Sequence, residues 1–447
     1  MAVATDNAGH FVAEYERFEL ERASAEESWF APVRSAAVAH FAERGLPTTR
    51  EEEWRYTNVN PIAGIPFRLG DTIAPELTVN TIKPFLFAEE DWPRLVFING
   101  RHSPELSFRG NAPDELRMAS LADALRSDPD ALRPHLARYA APAYNAFVAL
   151  NTAFLEDGAF IYVPRGRVLL TPLHVVYIST LQEQPLMTHP RTLIVAEPGS
   201  QVSVVESYVT LDGVQYLTNA VTELVAGENA VVDHYRLQRE DDEAFHISTL
   251  RIEQQRNSTV SSHCATLDGA LTRNNVHAVM SGEGGDLDLS GLYMLRGSQH
   301  VDNHLRVEHA APHCNSREYY KGILMDAAHG VFTGRIVVHK DAQKTDAKQT
   351  NMNLLLSGDA QVDTKPQLEI FADDVKCTHG ATIGQIDREA LFYLRARGID
   401  EATARSLLIY AFASESIGRI KVKALRDVLE ALLFAESPED RLLREAV

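Results

Sequence analysis

GSQVSV (Gly199–Val204), GENAVV (Gly227–Val232) and GDLDL (Gly285–Leu289) repeat one unit, a glycine corner followed by apolar residues at alternate positions. Alternation at period two marks a strand with one buried face, and glycine lets the backbone turn at no steric cost. A corner and a short strand repeated along a chain suits a solenoid of stacked strands. The repeat is degenerate, however, and a β-sandwich or a cupin-like barrel fits the pattern as well as a parallel β-helix does. Short β-branched runs extend the pattern back through Leu193–Ala196, Val175–Ile178 and Val168–Leu170 to Ala159–Val163, and forward to Gly384, with no long helix between.

On either side the period changes. Upstream, Phe30, Val33, Ala37 and Phe41 share a helical stripe that Gly45 and Pro47 end. Trp54 and Tyr56 read as core anchors, Leu95–Ile98 as a strand closed by the turn Asn99-Gly100, and Leu116–Tyr139 as helical. Downstream, Asp387 caps a helix through Arg397 that Gly398 ends, and Asp400 caps a second carrying Leu407, Leu408, Ala411 and Phe412. A third, with Leu425, Val428, Leu429 and Leu432, leads into a charged tail. Three amphipathic helices with apolar surface to spare either cap the β region or dock onto another protein. The expected division is an α-rich region over 1–150, a mainly β core over 151–385 and a helical domain over 386–447.

The chain has 447 residues and a formal charge of −19. Such an acidic surface repels phosphate backbones and anionic lipid, which argues against nucleic acid and membrane as partners. No secretory leader or membrane-length apolar run stands out. Three scattered cysteines, Cys264, Cys314 and Cys377, suit a reducing compartment, so a cytoplasmic location is expected.

The chain contains no P-loop, H-E-x-x-H, G-x-S-x-G or paired C-x-x-C motif. His300, His304, His309 and His313 form a conspicuous group, but strand positions four apart lie about 13 Å apart, too far for one ion. His263-Cys264 and His313-Cys314 are adjacent and point to opposite faces of a strand, so structural roles are expected for both dipeptides. FADDVKCTHGATIG (Phe371–Gly384) is different. Cys377 and His379 are two apart and share a strand face, with Cα atoms about 6–7 Å apart, so both can reach one metal cluster. Thiolate is the preferred ligand of iron in sulfide clusters and imidazole replaces it in some. Asp373 and Asp374 either tune the imidazole or solvate a turn.

Long segments resemble one family. VEHAAPHCNSREYYKGIL (Val307–Leu324), HGVFTGRI (His329–Ile336), AQKTDAKQTNMNLLLSGDAQVDTKPQLEI (Ala342–Ile370), ADDVKCTHGATIGQID and ALFYLRARGID are similar to the SufB/SufD family of the SUF iron–sulfur cluster assembly system. Weaker likeness runs through LVFINGRHSPELS, FVALNTAFLEDGAFIYVPRG and ARSLLIYAFASESI. SufB-type members have a glutamate after the histidine that matches His379; Gly380 stands there in this chain, which favours the SufD type.

The resemblance implies a right-handed parallel β-helix between helical terminal regions, acting as a non-catalytic scaffold subunit. It implies pairing with a SufB paralogue and, through the C-terminal helices around Leu407, Leu408, Ala411 and Phe412, with the ABC-type ATPase SufC in a SufBCD complex. ATP and magnesium then belong to SufC. His379 and Cys377 would contact iron or a nascent iron–sulfur cluster shared with SufB, His379 as the metal ligand, and the chain alone would hold no cofactor stably. The isolated chain could also pair with itself. Two other readings remain open: a carbohydrate-active β-helix enzyme using Lys365, Asp363 and Asp359, and a metal-binding cupin-like protein.

Overall fold

From Gly158 to Gln385 the chain winds as a parallel β-solenoid, with strands passing alternately to two sheets. The computed structural model describes residues 8–22, 29–70, 77–87, 91–211 and 215–435; the charged tail lies outside them. One sheet ends with Leu271–Met280, His300–His309, His329–Val338 and Gln361–Ile370; the other ends with Asp286–Leu295, Asn315–Leu324, Asp346–Leu355 and Lys376–Gln385. Asp286 pairs with Asn315, Asn315 with Asp346 and Asp346 with Lys376, steps of 29, 31 and 30 residues. These ladders are parallel, which excludes the sandwich and the cupin-like barrel, both built from antiparallel pairs.

The period-two pattern determines what lies inside. Val202, Val204, Val232, Val260, Leu287 and Leu289 point inward and meet Leu250, Ile252, Val276, Ala278, Val301 and Leu305 of the facing sheet in one core. Each fully buried aliphatic side chain contributes roughly 1.5–3 kcal/mol relative to exposure.

The corners explain why the glycine unit is irregular. Gly199, Asn229, Asn257, Gly284, His313 and Lys344 hold left-handed φ values of +70°, +57°, +53°, +74°, +59° and +64°. Each donates its backbone N–H to the next coil, from Gly199 to Glu228 and so on to Lys344, which donates to Asp374. Asparagine tolerates this conformation nearly as readily as glycine, so the corner persists where the glycine does not. His313 is thus a corner residue of the solenoid.

Helices cover both outer faces. Phe11, Phe41, Trp54, Phe147 and Phe154 of the N-terminal region pack on Met187, Leu217, Phe245 and Leu271 of one sheet. Ala413, Ile417, Ile420, Leu425 and Leu429 of the C-terminal helices pack on Tyr235, Leu237, Leu292 and Ile323 of the other. Ala31–Arg44 is helical as the stripe predicts, and Asn99-Gly100, at φ +50° and +85°, turns Arg94–Ile98 into Arg101–His102. Leu116–Tyr139 departs from expectation: only Leu121–Ser127 and Pro129–Leu132 are helical, while Arg117–Ser120 forms an antiparallel ladder with the first solenoid strand. Val168–Leu170 makes a single bridge, from Val168 to Gln201, and no strand. No helix among the described residues is long and apolar enough to cross a membrane.

Candidate functional site

Cys377 and His379 lie on Lys376–Gln385, the last strand of its sheet. Register places Cys377 beside Ala347 and His379 beside Gln349, two residues of the inward-facing row. Both side chains therefore project from the inner side of a coil that no further coil covers. Cys377 is half-buried against Ala342, Ala347 and Ala372. Burial, and then the Asp346 carboxylate, push its thiol above the ordinary range, partly offset by a backbone hydrogen bond at Ala347. At neutral pH it is a thiol. His379 is exposed and makes no hydrogen bond among the described residues. Asp374 belongs to the last corner: it pairs with Lys344, and its N–H donates to Gln343 Oε1 at 2.9 Å. It is tied to that corner.

The two sheets end differently. Gln361 donates its N–H inward to Ala328 and Phe371 does so to Val338, so odd-numbered residues of Gln361–Ile370 serve the ladder and Pro366 faces the free edge. Proline lacks a donor, which makes that edge a poor template for another strand. Lys376 donates to Thr345, so the even-numbered residues of Lys376–Gln385 serve the ladder, and Cys377, His379, Ala381 and Ile383 turn their N–H groups outward. No proline blunts this second edge, and Ile383 stands 48% exposed on it. Phe371, between the two strands, is 64% exposed. A long, unblunted edge with apolar side chains is a ready surface for strand addition.

Behind His379 the interior is polar. Glu318, Gln349 and His379 occupy successive in-register positions on three neighbouring strands. Gln349 Nε2 donates to Glu318 Oε2 at 2.7 Å, and both side chains are almost wholly buried. Burial pushes the Glu318 carboxyl up to about 7, an effect the Gln349 bond only partly offsets. Glu318 Oε1, Gln349 Oε1 and Thr364 Oγ1, all buried, have no hydrogen-bond partner among the described residues. Gly334 of the facing sheet makes room for the amide, since a Cβ there would stand 2.1 Å from Gln349 Nε2. Glu318 and Gln349 match no motif; the signal available in the sequence is that Gln349 shares parity with Ala347, which faces inward.

The other candidates are dispersed. Cys264 points inward and accepts from Arg236 Nη2 at 3.0 Å, while His263 points outward to Ser416 at 3.2 Å, the opposite faces expected of neighbours on a strand. Cys314 is buried at a corner, with its thiol on the carbonyls of Gly282 and Pro312. His300 bonds Thr57 at 3.0 Å and His309 bonds Ser316 at 2.9 Å, while His304 lines a small cleft beneath Glu52, Glu53 and Tyr56. Lys365 lines that same cleft and pairs there with Glu52, while Asp363 pairs with His329, so Lys365 and Asp363 have separate partners. Among the described residues no three His, Cys, Asp or Glu side chains converge as a set able to hold a metal ion.

The C-terminal helices are Arg388–Ala396, Glu401–Ile417 and Lys423–Ala435, the first two capped by Asp387 and Asp400 as the sequence predicts. Leu407 and Leu408 are half-buried and Ala411 is exposed. Phe412 turns to the solenoid, with Lys321 Nζ 4.2 Å above its ring. The helix Arg388–Ala396 has no buried residue and exposes Phe392 by 74% and Tyr393 by 58%.

Comparison with known proteins places this architecture. Residues 177–412 match the family described as SUF system FeS cluster assembly, SufBD core domain, and residues 9–175 match the SufBD protein N-terminal region. The chain belongs to the SufB/SufD family of iron–sulfur cluster assembly proteins. An iron–sulfur cluster assembly SufBD family protein of Synechocystis is 34% identical over 409 residues, 90% of each chain. The iron–sulfur cluster assembly protein SufD of Escherichia coli is 32% identical over 412 residues, 91% of this chain and 93% of its own. SufD of Bacillus subtilis is 24% identical over 417 residues, 91% of this chain and 94% of its own.

Proposed function

We propose that this chain is a non-catalytic subunit of a cytoplasmic SUF scaffold, working with a SufB-type paralogue and a SufC-type ATPase. The observation that carries the reading is the open end of the solenoid, where an unblunted strand edge presents His379 and Cys377 with no side chain among the described residues completing a ligand set. A partner strand added along Lys376–Gln385 would bury the edge, cover Phe371 and Ile383, and bring its own ligands to His379. The chain alone has half a site.

In this reading iron or a nascent cluster is cargo. His379 supplies an imidazole nitrogen, a borderline donor that suits iron and releases it more readily than a second thiolate does. Cys377, held as a thiol by burial, becomes a ligand only if a metal displaces its proton. The C-terminal helices take the ATPase, through Leu407, Leu408 and Ala411 on one helix and Phe392 and Tyr393 on the other. Motion of the ATPase would reach the solenoid through the Glu401–Ile417 helix, which Lys321 and Arg419 tie to it. With no paralogue present, the same edge would pair with a second copy of the chain.

A tagged chain expressed in its source cell tests this directly. The expected capture is an ABC-type ATPase and a cysteine-bearing paralogue. His379→Ala should keep both partners and lose cluster maturation. A chain that captures neither partner and binds stoichiometric iron by itself would sink the proposal.

A further inference from the structure

We propose that Gln349, held by Glu318, is the positioning residue that orients His379 toward its cargo, its side-chain oxygen accepting the N–H of one ring nitrogen so that the other presents its lone pair at the open edge. The inference rests on the reading of His379 as a ligand for iron.

Gln349 and His379 are in-register partners on adjacent strands, and adjacent strands lie about 4.8 Å apart. Both project to the inner side of the coil. The amide of Gln349 cannot turn freely: its Nε2 is bonded to Glu318 on the preceding coil at 2.7 Å, and the amide group itself, nitrogen, carbon and oxygen, lies against Gly334. With the nitrogen committed to Glu318, Oε1 is the amide atom left to take a partner from the adjacent last coil. That oxygen is buried and has no partner. Leaving a buried acceptor unpaired is unfavourable, a cost a molecule carries where a partner arrives later.

The chemistry of an iron-binding histidine requires such an acceptor. A neutral imidazole binds metal through one nitrogen and carries its proton on the other, and the group that accepts that proton fixes both the tautomer and the ring plane. An amide that already donates to a carboxylate is polarised, which strengthens its oxygen as an acceptor. Glu318 thereby acts on His379 through Gln349 without touching it.

The test uses the complex captured by the tagged chain, titrated anaerobically with ferrous iron. Four forms are compared: the parent, His379→Ala, Gln349→Met, and the exchange Glu318→Gln with Gln349→Glu. Methionine keeps the shape over Gly334 and removes the acceptor. The exchange keeps one amide, one carboxylate and a free acceptor facing His379. Groups that orient a metal-binding histidine are worth about 10–100-fold in metal affinity, so Gln349→Met is expected to weaken iron binding by that factor, with the exchange restoring it to within about threefold. Pulsed EPR of the nitric oxide adduct of the ferrous complex, a half-integer-spin form, should show a ring-nitrogen coupling in the parent and the exchange, lost in His379→Ala and altered in Gln349→Met. Unchanged iron binding in His379→Ala overturns the ligand reading itself. If His379→Ala weakens binding while Gln349→Met does not, water serves the imidazole and the positioning role is wrong. Failure of the exchange to restore affinity assigns Gln349 to packing alone and overturns the proposal equally.

Discussion

Arg191 and Glu223 face each other across adjacent strands, 2.6 Å apart, with neither side chain exposed. Arg191 also donates to Asn151, Thr152 and the Ala140 carbonyl, and Glu223 accepts the N–H groups of Ala137, Tyr139 and Ala140. One ion pair thus fastens the N-terminal region to the solenoid. A buried pair is weak evidence of net stability, but removing one partner strands the other, at about 3–5 kcal/mol. Arg191→Met is therefore expected to lower the urea midpoint by an amount equivalent to about that loss. A change below about 1 kcal/mol would show that the three backbone donors suffice for Glu223.

Glu318 makes stability depend on pH in an unusual direction. Its folded carboxyl ionises at about 7, against about 4.3 for an unperturbed glutamate. Between those values the folded chain keeps a proton that the unfolded chain has lost, so this contribution to stability falls as pH rises and is fully lost above about 7. Glu318→Gln should leave stability unchanged near pH 4.5 and raise it by about 1–3 kcal/mol at pH 8. Buried histidines slope the other way: burial lowers His174 and His189 to about 3, and His263 and His309 to about 4. The unfolded chain takes up their protons first, so their contribution is lost as pH falls from about 6.5 toward 4. The variant-minus-parent difference, measured by chemical denaturation at several pH values, isolates Glu318 from that background.

What could be read from the sequence follows from how local each cause is. Asp387, Asp400 and Gly398 act within one helical turn, and each does what its residue type predicts. Asn99-Gly100 is equally local. Arg117–Ser120 read as helix because its partner, Ala159–Tyr162, lies some forty residues on, and strand pairing overrides local propensity. His313 reads as structural from its spacing and is so, but nothing near it in sequence reveals the stacked corners that set its φ. Gln349 and Glu318 carry no local signal of a site, because only the coil-to-coil register shows that their side of the strand is the inside. Periodicity revealed the solenoid's repeating unit; the cross-coil chemistry required the register.

Phe392 and Tyr393 carry the most exposed apolar surface of the C-terminal helices. Replacing both by serine removes a contact surface and buries nothing new, so unfolding should shift by no more than about 0.5 kcal/mol. Capture of the ATPase by the tagged chain should fall at least tenfold, with the paralogue retained. Unchanged ATPase capture would move the docking surface to Leu407, Leu408 and Ala411.

Ala381 offers a way to close the strand edge without disturbing the site beside it. Its N–H faces outward, away from the ladder that Lys376 joins to Thr345, so proline there removes no internal hydrogen bond and is tolerated as proline is on other edge strands. A partner strand, by contrast, would lose a donor in the middle of its ladder and meet the pyrrolidine ring. Ala381→Pro is expected to keep the fold and the ATPase while losing the paralogue, and in its absence any self-pairing, as read by light scattering on the captured complexes. Pro366 already stands in the equivalent outward position on the neighbouring sheet, which is the reason to expect the partner on Lys376–Gln385. If Ala381→Pro keeps the paralogue at parental levels, that edge is not the interface, and His379 then faces solvent in the assembled complex.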